Sequence, residues 1–390
     1  MKDCRTLYLH IPFCFSKCKY CDFFSVPFGQ KAVSQDYVDS LCRELKYRLI
    51  ENRTVLLETI YIGGGTPSLL SENQLKQILN TVKKCTSISE SAEITIEVNP
   101  DDIDYERLEI YRRCGINRLS CGIQSMNDYC LTYAGRRADS EANRRALEIL
   151  SEWTGKLSLD IICGLPGETS ESFISGMNEI IAADPDHISM YSLSIEEGSV
   201  FGSMYDEGTL EYDFDSADSL WIKARNILED FGYKQYEVSN FAKTGFECRN
   251  NLTYWNHKSY IGAGAGGTGT LYNEDGTAFR YTNIKDIEVY TKFWRYDKPD
   301  FKEIPQEKET VGFEDSVFEF FMMGLRKLEG VKEKDFLEEF NCAVPEKILG
   351  VLEKWQIKGN CIITGEAGNR TFTLGKKGII YLNQFLQEIL

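Results

Sequence analysis

The chain lacks a surplus of positive charge. Its 44 Lys and Arg stand against 60 Asp and Glu, a formal net charge of −16 with a pI near 4.9. A polyanion would meet a repulsive field, so nucleic acid is a disfavoured partner. No stretch reaches the roughly 18 consecutive apolar residues of a spanning helix, and the opening "MKDCRTLYLHIPF" lacks the apolar core of an export signal. A soluble cytoplasmic protein with no transmembrane segment is expected, any membrane contact being transient and made through a partner. Histidine is scarce, three residues in 390 (His10, His187 and His257), which limits imidazole ligands. No internal repeat or low-complexity tract stands out. With 42% hydrophobic and 27% charged residues, the length suits one large domain and a smaller one.

Cysteine, by contrast, is plentiful. The 13 cysteines are an odd number without an export signal, so a disulfide framework is disfavoured and ligation is the natural reading of a tight group. Such a group is "HIPFCFSKCKYCDFFS", where Cys14, Cys18 and Cys21 fall within eight positions.

Short apolar runs alternate with helical stretches, the pattern of βα units. Six strands are predicted: 6–12, 59–65, 93–99, 118–124, 156–164 and 187–194. Between them Val38, Leu41, Leu45 and Leu49 share one helical face, and Leu75, Ile78, Leu79 and Val82 another. Ser71 and Gln74 form a candidate capping box, and a helix over 216–231 stops at Gly232. Six βα units make an open doubly wound sheet or a partial barrel, and in both, chemistry belongs at the carboxyl ends of the strands. The unusual residues cluster there: the cysteines, "GGGTPS", Glu97 with "NP", Gln124, and Asp160 with "GLPGET".

Residues 1–243 are read as this βα domain and 244–310 as a Gly- and Tyr-rich connecting segment. Residues 311–390 are read as a C-terminal α+β domain, with helices, a hairpin in "NCIITGEAGNRTFTL" and a last amphipathic helix. That last domain is winged-helix-like, but the acidic balance weighs against DNA binding.

Three readings of the cysteines compete. Structural zinc takes four ligands, and Cys4, the other cysteine within reach in sequence, lies at the opposite end of the first strand. Cysteines merely buried as small hydrophobes fit badly in a loop with Lys17, Lys19 and Asp22. A [4Fe-4S] cluster fits better, with three thiolates holding three irons and the fourth iron left without a protein ligand.

The CxxxCxxC spacing with Tyr20 before the last cysteine resembles the signature of radical S-adenosylmethionine (SAM) proteins. The resemblance implies a partial (β/α)6 barrel in which SAM chelates the open iron and an electron from the cluster releases a 5′-deoxyadenosyl radical. "YLHIPFCFSKCKYCDF", "IYIGGGTPSLL", "EITIEVNP", "RLSCGIQS", "DIICGLPGET" and "NNLTYW" narrow it, resembling in order the oxygen-independent coproporphyrinogen III oxidase-like group over nearly the whole chain. Carried over residue by residue, it implies Cys14, Cys18 and Cys21 for the cluster. It implies Tyr8, Tyr20, Gly64, Gly65, Thr66, Glu97, Gln124, Arg136 and Asp160 for SAM, with Arg137 the neighbour that a one-residue slip would exchange for Arg136.

The true oxidases carry a fourth cysteine where this chain has Phe23, and a longer arm than the 13 residues before Cys14. Both departures resemble the haem chaperone family HemW. That resemblance implies haem as a further ligand, delivered to haem proteins such as respiratory enzymes. The family's His-Asn-x-x-Tyr-Trp haem motif reads here Asn250, Asn251, Leu252, Thr253, Tyr254, Trp255, and a carboxamide is a poor axial ligand. His257 and Cys248 are the nearby substitutes, and Thr268 stands where relatives are expected to have His. A radical SAM enzyme acting on a porphyrinogen, such as an oxygen-independent coproporphyrinogen III oxidase, is the alternative. A SAM-binding interaction module that has lost both activities is a third reading, against which the intact cluster loop argues.

Overall fold

The computed structural model describes residues 2–29, 33–296 and 299–390. Strict alternation along the strands sets the architecture. In β1 (Thr6–Ile11), Leu7, Leu9 and Ile11 are fully buried under helices while Tyr8 and His10 take the opposite face. The same division repeats in β2 (Leu56–Gly64), β3 (Ser87–Val98), β4 (Arg118–Gln124), β5 (Lys156–Cys163) and β6 (His187–Ser192). Ile60, Ile62, Ile94, Ile96, Leu119, Leu159, Ile161, Ile188 and Met190 belong to one apolar core with β1. The alternate positions are polar or aromatic: Tyr61, Glu97, Ser120, Ser158, Asp160, Ser189 and Tyr191.

All six strands pair in parallel in the order β1-β2-β3-β4-β5-β6. The two-residue β7 (Lys234–Gln235) and β8 (Asn240–Ala242) add antiparallel beyond β6, and β9 (Ile261–Ala263) adds parallel beyond β1, giving nine strands. The apolar face is covered by α1 (Gln35–Glu51) and α2 (Glu72–Cys85), whose predicted apolar stripes are buried, and by the later crossover helices. The capping box at α2 is present: the Gln74 amide donates to Ser71 Oγ at 3.3 Å, and the Ser71 amide donates to Gln74 Oε1 at 3.0 Å. Gly232 follows the helix Phe214–Asp230 with φ +87°, the left-handed conformation of a helix stop.

Residues 244–310, expected as a connecting segment, contribute β9, the short helix α3 (Arg249–Trp255) and a three-stranded antiparallel sheet. Leu271, Tyr281, Tyr290, Trp294 and Ile304 join the same core as β1. Residues from 313 onward form a separate core, with Phe320, Phe321, Phe336, Leu352, Trp355, Phe372 and Phe385 at its centre. It holds the predicted hairpin, Ile362–Thr364 with Thr371–Thr373, widened to three strands by Val331–Lys332. Among the described residues no helix is long and apolar enough to cross a membrane.

Candidate functional site

After β1 the chain turns into the cysteine loop, pinned at both ends by backbone bonds. The Val26 amide donates to Pro12 O at 2.7 Å and the Phe28 amide to Cys14 O at 2.8 Å. Within it the Cys21 amide donates to Cys18 O at 3.2 Å, and Lys19 N is anchored on Ala134 O at 2.9 Å. Cys14, Cys18 and Cys21 are free thiols that line one cavity of about 570 Å³ at the carboxyl ends of the strands. Burial, helped by the neighbouring Cys18 and Cys14, pushes the Cys21 thiol up to about 11, so ligation there releases a proton. Among the described residues, no three Cys, His, Asp or Glu are gathered closely enough to hold one ion. Three thiols spread around a cavity suit a cubane, which takes one on each of three irons.

The loop after β2 brings its backbone against the cysteines. A Cβ on Gly65 would stand 2.6 Å from Phe13 O and 3.0 Å from Cys14 Sγ. Gly64, at φ +114°, would place one 2.7 Å into the His10 ring. That is a cradle a side chain would fill. The Gly64 amide donates to Glu97 Oε2 at 3.0 Å and the Tyr61 hydroxyl to Glu97 Oε1 at 2.9 Å. Burial nevertheless dominates and pushes the Glu97 carboxyl up to about 7.

Across the cavity, Arg136 reaches Cys18 Sγ from Nη1 at 3.6 Å and donates from Nη2 to Asn99 Oδ1 at 2.8 Å and Gly122 O at 2.6 Å. Its Nε is buried without a partner among the described residues. Arg137 is instead spent on Asp101 and Asp102 and lies over the Phe15 ring. Asp160 accepts from Ser120 Oγ at 3.1 and 2.9 Å on its two oxygens. Gln124 is aimed by an irregularity that periodicity did not foretell. The register of β4 on β5 shifts between Gly122 and Gln124, and Gln124 takes φ +66°, as at a bulge that redirects a side chain.

Of the expected SAM residues, Tyr20, Gly64, Gly65, Thr66, Glu97, Gln124, Arg136 and Asp160 all line this cavity with the three cysteines. Tyr8 does not. It stands behind the wall, bonded to His10 Nδ1 at 2.9 Å and stacked on Tyr61 at 6.2 Å between ring centroids. Asn99, Ser120 and Tyr191 line the cavity without having been singled out, and the alternation that places Ser120 and Tyr191 on the polar face was the available signal. A second cavity of about 590 Å³ beside Gly164–Glu168 holds none of the expected residues.

The expected haem region lies elsewhere. α3 is seated against the amino-terminal ends of the strands: the Arg249 amide donates to Glu93 at 2.9 Å, and Thr253 Oγ1 bonds Thr6 Oγ1 at 2.9 Å. Asn250 is buried, accepting from Thr59 Oγ1 at 3.4 Å and donating to the Tyr254 hydroxyl at 3.1 Å. Asn251 and Trp255 sit half-buried on the same helix, with Arg326 5.4 Å from the Trp255 ring. His257 is 2% exposed, packed 3.9 Å from Tyr272 between ring centroids and beside Phe320 and Phe340. Burial pushes its pKa down. None of Asn250, Asn251, Tyr254, Trp255 and His257 lines the cavity of the cysteines. Cys248, also buried, faces Glu93 at 3.6 Å, and Thr268 is bonded to Thr282.

Residues 8–179 match the Radical SAM superfamily. A solved structure of coproporphyrinogen III oxidase from Escherichia coli, itself a radical SAM enzyme, is similar with a TM-score of 0.81 at 19% identity, covering 100% of this chain and 90% of that one. The parallel sheet with a three-cysteine cavity at its carboxyl edge is that of a radical SAM protein of the coproporphyrinogen III oxidase-like group. The chain is 33% identical to the heme chaperone HemW of Buchnera aphidicola subsp. Acyrthosiphon pisum, over 99% of this chain and 98% of that one. It is 34% identical to the heme chaperone HemW of Bacillus subtilis, over 91% and 92%, and 34% identical to that of Escherichia coli, over 85% of each. It belongs to the HemW family.

Proposed function

We propose that this chain is a haem chaperone of the cytoplasm, which carries a [4Fe-4S] cluster and SAM and delivers haem to recipient proteins such as respiratory enzymes. The observation that carries the reading is the full-length likeness to heme chaperones, in a chain with Phe23 at the position of the oxidases' fourth cysteine. Cys14, Cys18 and Cys21 would hold the cluster. Gly64, Gly65, Thr66, Glu97, Gln124, Arg136 and Asp160 would bind SAM, with Tyr20 beside Cys21 and Tyr8 supporting the wall from behind. The cluster's chemistry, when bound, is one-electron reduction of a sulfonium. The protein's part is to orient: the glycine loop lets backbone approach, Glu97 and Asp160 offer acceptors, and Arg136 offers a cation. We place the one domain boundary near 310, with 244–310 belonging to the core of the βα domain.

Haem is cargo in this reading, and buried Asn250 is not its ligand. The test is anaerobic reconstitution followed by haem titration, with paired assays for 5′-deoxyadenosine and decarboxylated porphyrin. Saturable Soret changes without decarboxylation are expected; no saturable binding sinks the chaperone role. The likeness of fold to the oxidase favours, as second reading, a radical SAM enzyme acting on a porphyrinogen, and decarboxylated product would establish it.

A further inference from the structure

A line of hydrogen bonds leaves the cavity wall at Asp160 and runs through the polar face of the sheet to the foot of α3. Ser158 Oγ donates to Asp160 Oδ1 at 3.3 Å and contacts His187 Nδ1 at 2.7 Å. His187 Nε2 contacts the Tyr236 hydroxyl at 2.9 Å, and the Cys248 amide donates to that hydroxyl at 3.3 Å. Cys248 is the residue that precedes the first turn of α3. Ser158 and His187 are 2% and 1% exposed, so their polar atoms must find partners inside the protein.

One arrangement of protons satisfies every contact. A carboxylate accepts, so the single Ser158 proton goes to Asp160. Ser158 Oγ must then accept from His187, which puts the imidazole proton on Nδ1. Burial, with Arg118 and Lys156 nearby, keeps this imidazole neutral, so it has no second proton and Nε2 is bare. Tyr236 therefore donates to Nε2 and accepts from the Cys248 amide. The reverse arrangement would turn a Ser158 lone pair toward a carboxylate and leave the Tyr236 proton unspent.

We infer that Ser158, His187 and Tyr236 are positioning residues for SAM binding, orienting the Asp160 carboxylate toward the cavity from behind. The inference rests on the reading of Asp160 as a SAM contact. Ser120 holds the same carboxylate from β4, Ser189 approaches it from β6, and Ser158 holds it from its own strand, so the side chain is held among three hydroxyls, one of which is fixed by His187. Supporting groups of this kind preserve the geometry of the residue that touches the ligand.

The test is SAM binding by equilibrium dialysis on anaerobically reconstituted protein, with thermal midpoints in parallel. Ser158→Ala and His187→Leu are expected to weaken SAM by about tenfold, the worth of one hydrogen bond to a charged group. His187→Asn, whose amide places a donor near the position of Nδ1–H, is expected to restore binding to within about twofold. A purely structural role would not separate these two substitutions at His187. The ¹⁵N-resolved imidazole spectrum of the unaltered protein, which requires no variant to fold, is expected to show His187 as the Nδ1–H tautomer. An Nε2–H tautomer, or unchanged binding in Ser158→Ala and His187→Leu while Asp160→Asn weakens it, overturns the relay. Unchanged binding in Asp160→Asn overturns the cavity reading itself, and with it the role of His187.

Discussion

The two ends of this barrel treat polar residues in opposite ways. At the carboxyl end, Cys14, Cys18 and Cys21 form no disulfide, Arg136 Nε is buried without a partner among the described residues, and Glu97, pushed up to about 7 by burial, is half-protonated near neutrality. At the amino end, Asn250, Thr253 and the Arg249 amide are each bonded to a strand residue or to a helix neighbour. A site that takes a ligand keeps donors and acceptors in reserve, whereas a plug spends most of them on the protein; on α3, Trp255 Nε1 is the exception, without a partner among the described residues. Removing a residue from the first should cost ligand; removing one from the second should cost stability.

The sharpest break is Cys18→Ser. Reconstitution should then yield essentially no [4Fe-4S] cluster by iron and sulfide content, and a full complement would abolish the distinction between the ends. Next comes Asn250→Ala, which removes the Tyr254 hydroxyl's donor while Thr59 keeps its bond to Thr6 Oγ1, and which should lower stability by about 1–3 kcal/mol in urea unfolding. Its cluster content should match that of the unaltered chain; a normal urea midpoint would show that α3 is no plug.

Glu97→Gln follows, and its effect depends on pH. The Glu97 carboxyl sits at about 7 in the fold instead of 4.5, so between those values the folded chain holds a proton that the unfolded chain has released. Glu97 therefore costs stability progressively as pH rises from about 5 to 7, by linkage. The variant should gain of the order of 3 kcal/mol at pH 8 and nothing at pH 4, compared by urea midpoints. An equal change at both values would place the cause elsewhere. Phe23→Cys should do least. Phe23 is 64% exposed, and its replacement should shift stability by no more than about 0.5 kcal/mol. SAM binding by the reconstituted protein should stay the same, and its loss at unchanged iron content would show that a fourth thiol has taken the open iron.

Much of the carboxyl end was legible because its signals are local. The cysteine spacing, "GGGTPS" and the six apolar runs each need a few neighbouring residues, and the six strands appear within three residues of their predicted bounds except at the start of β3, which begins at Ser87 instead of 93. The bulge before Gln124 was not legible, since it is a mismatch of β4 against β5 and belongs to neither strand alone. Tyr8 and Tyr61 share the polar face with Glu97 and Asp160 by alternation, yet neither lines the cavity, since their places along the strands set them behind its wall. The amino end misled for a related reason. "NNLTYW" carries residue types that suit a ligand, and nothing within those six letters reveals that Thr59 and Thr6, far away in the chain, take up their hydrogen bonds.

By itself, then, the sequence determined the alternation that separates an aliphatic face from a polar one, the helices that cover the first, and the three thiols that follow β1. These are consequences of backbone periodicity and short spacing, which a chain carries wherever it goes. Tertiary structure alone decided which polar residues remain available. Asp160 and Asn250 are both side chains of the barrel interior; one ends a chain of hydrogen bonds at an open cavity, and the other is enclosed between a helix and two strands. Availability is set by what packs against a group, and at both residues much of that packing comes from segments distant in sequence.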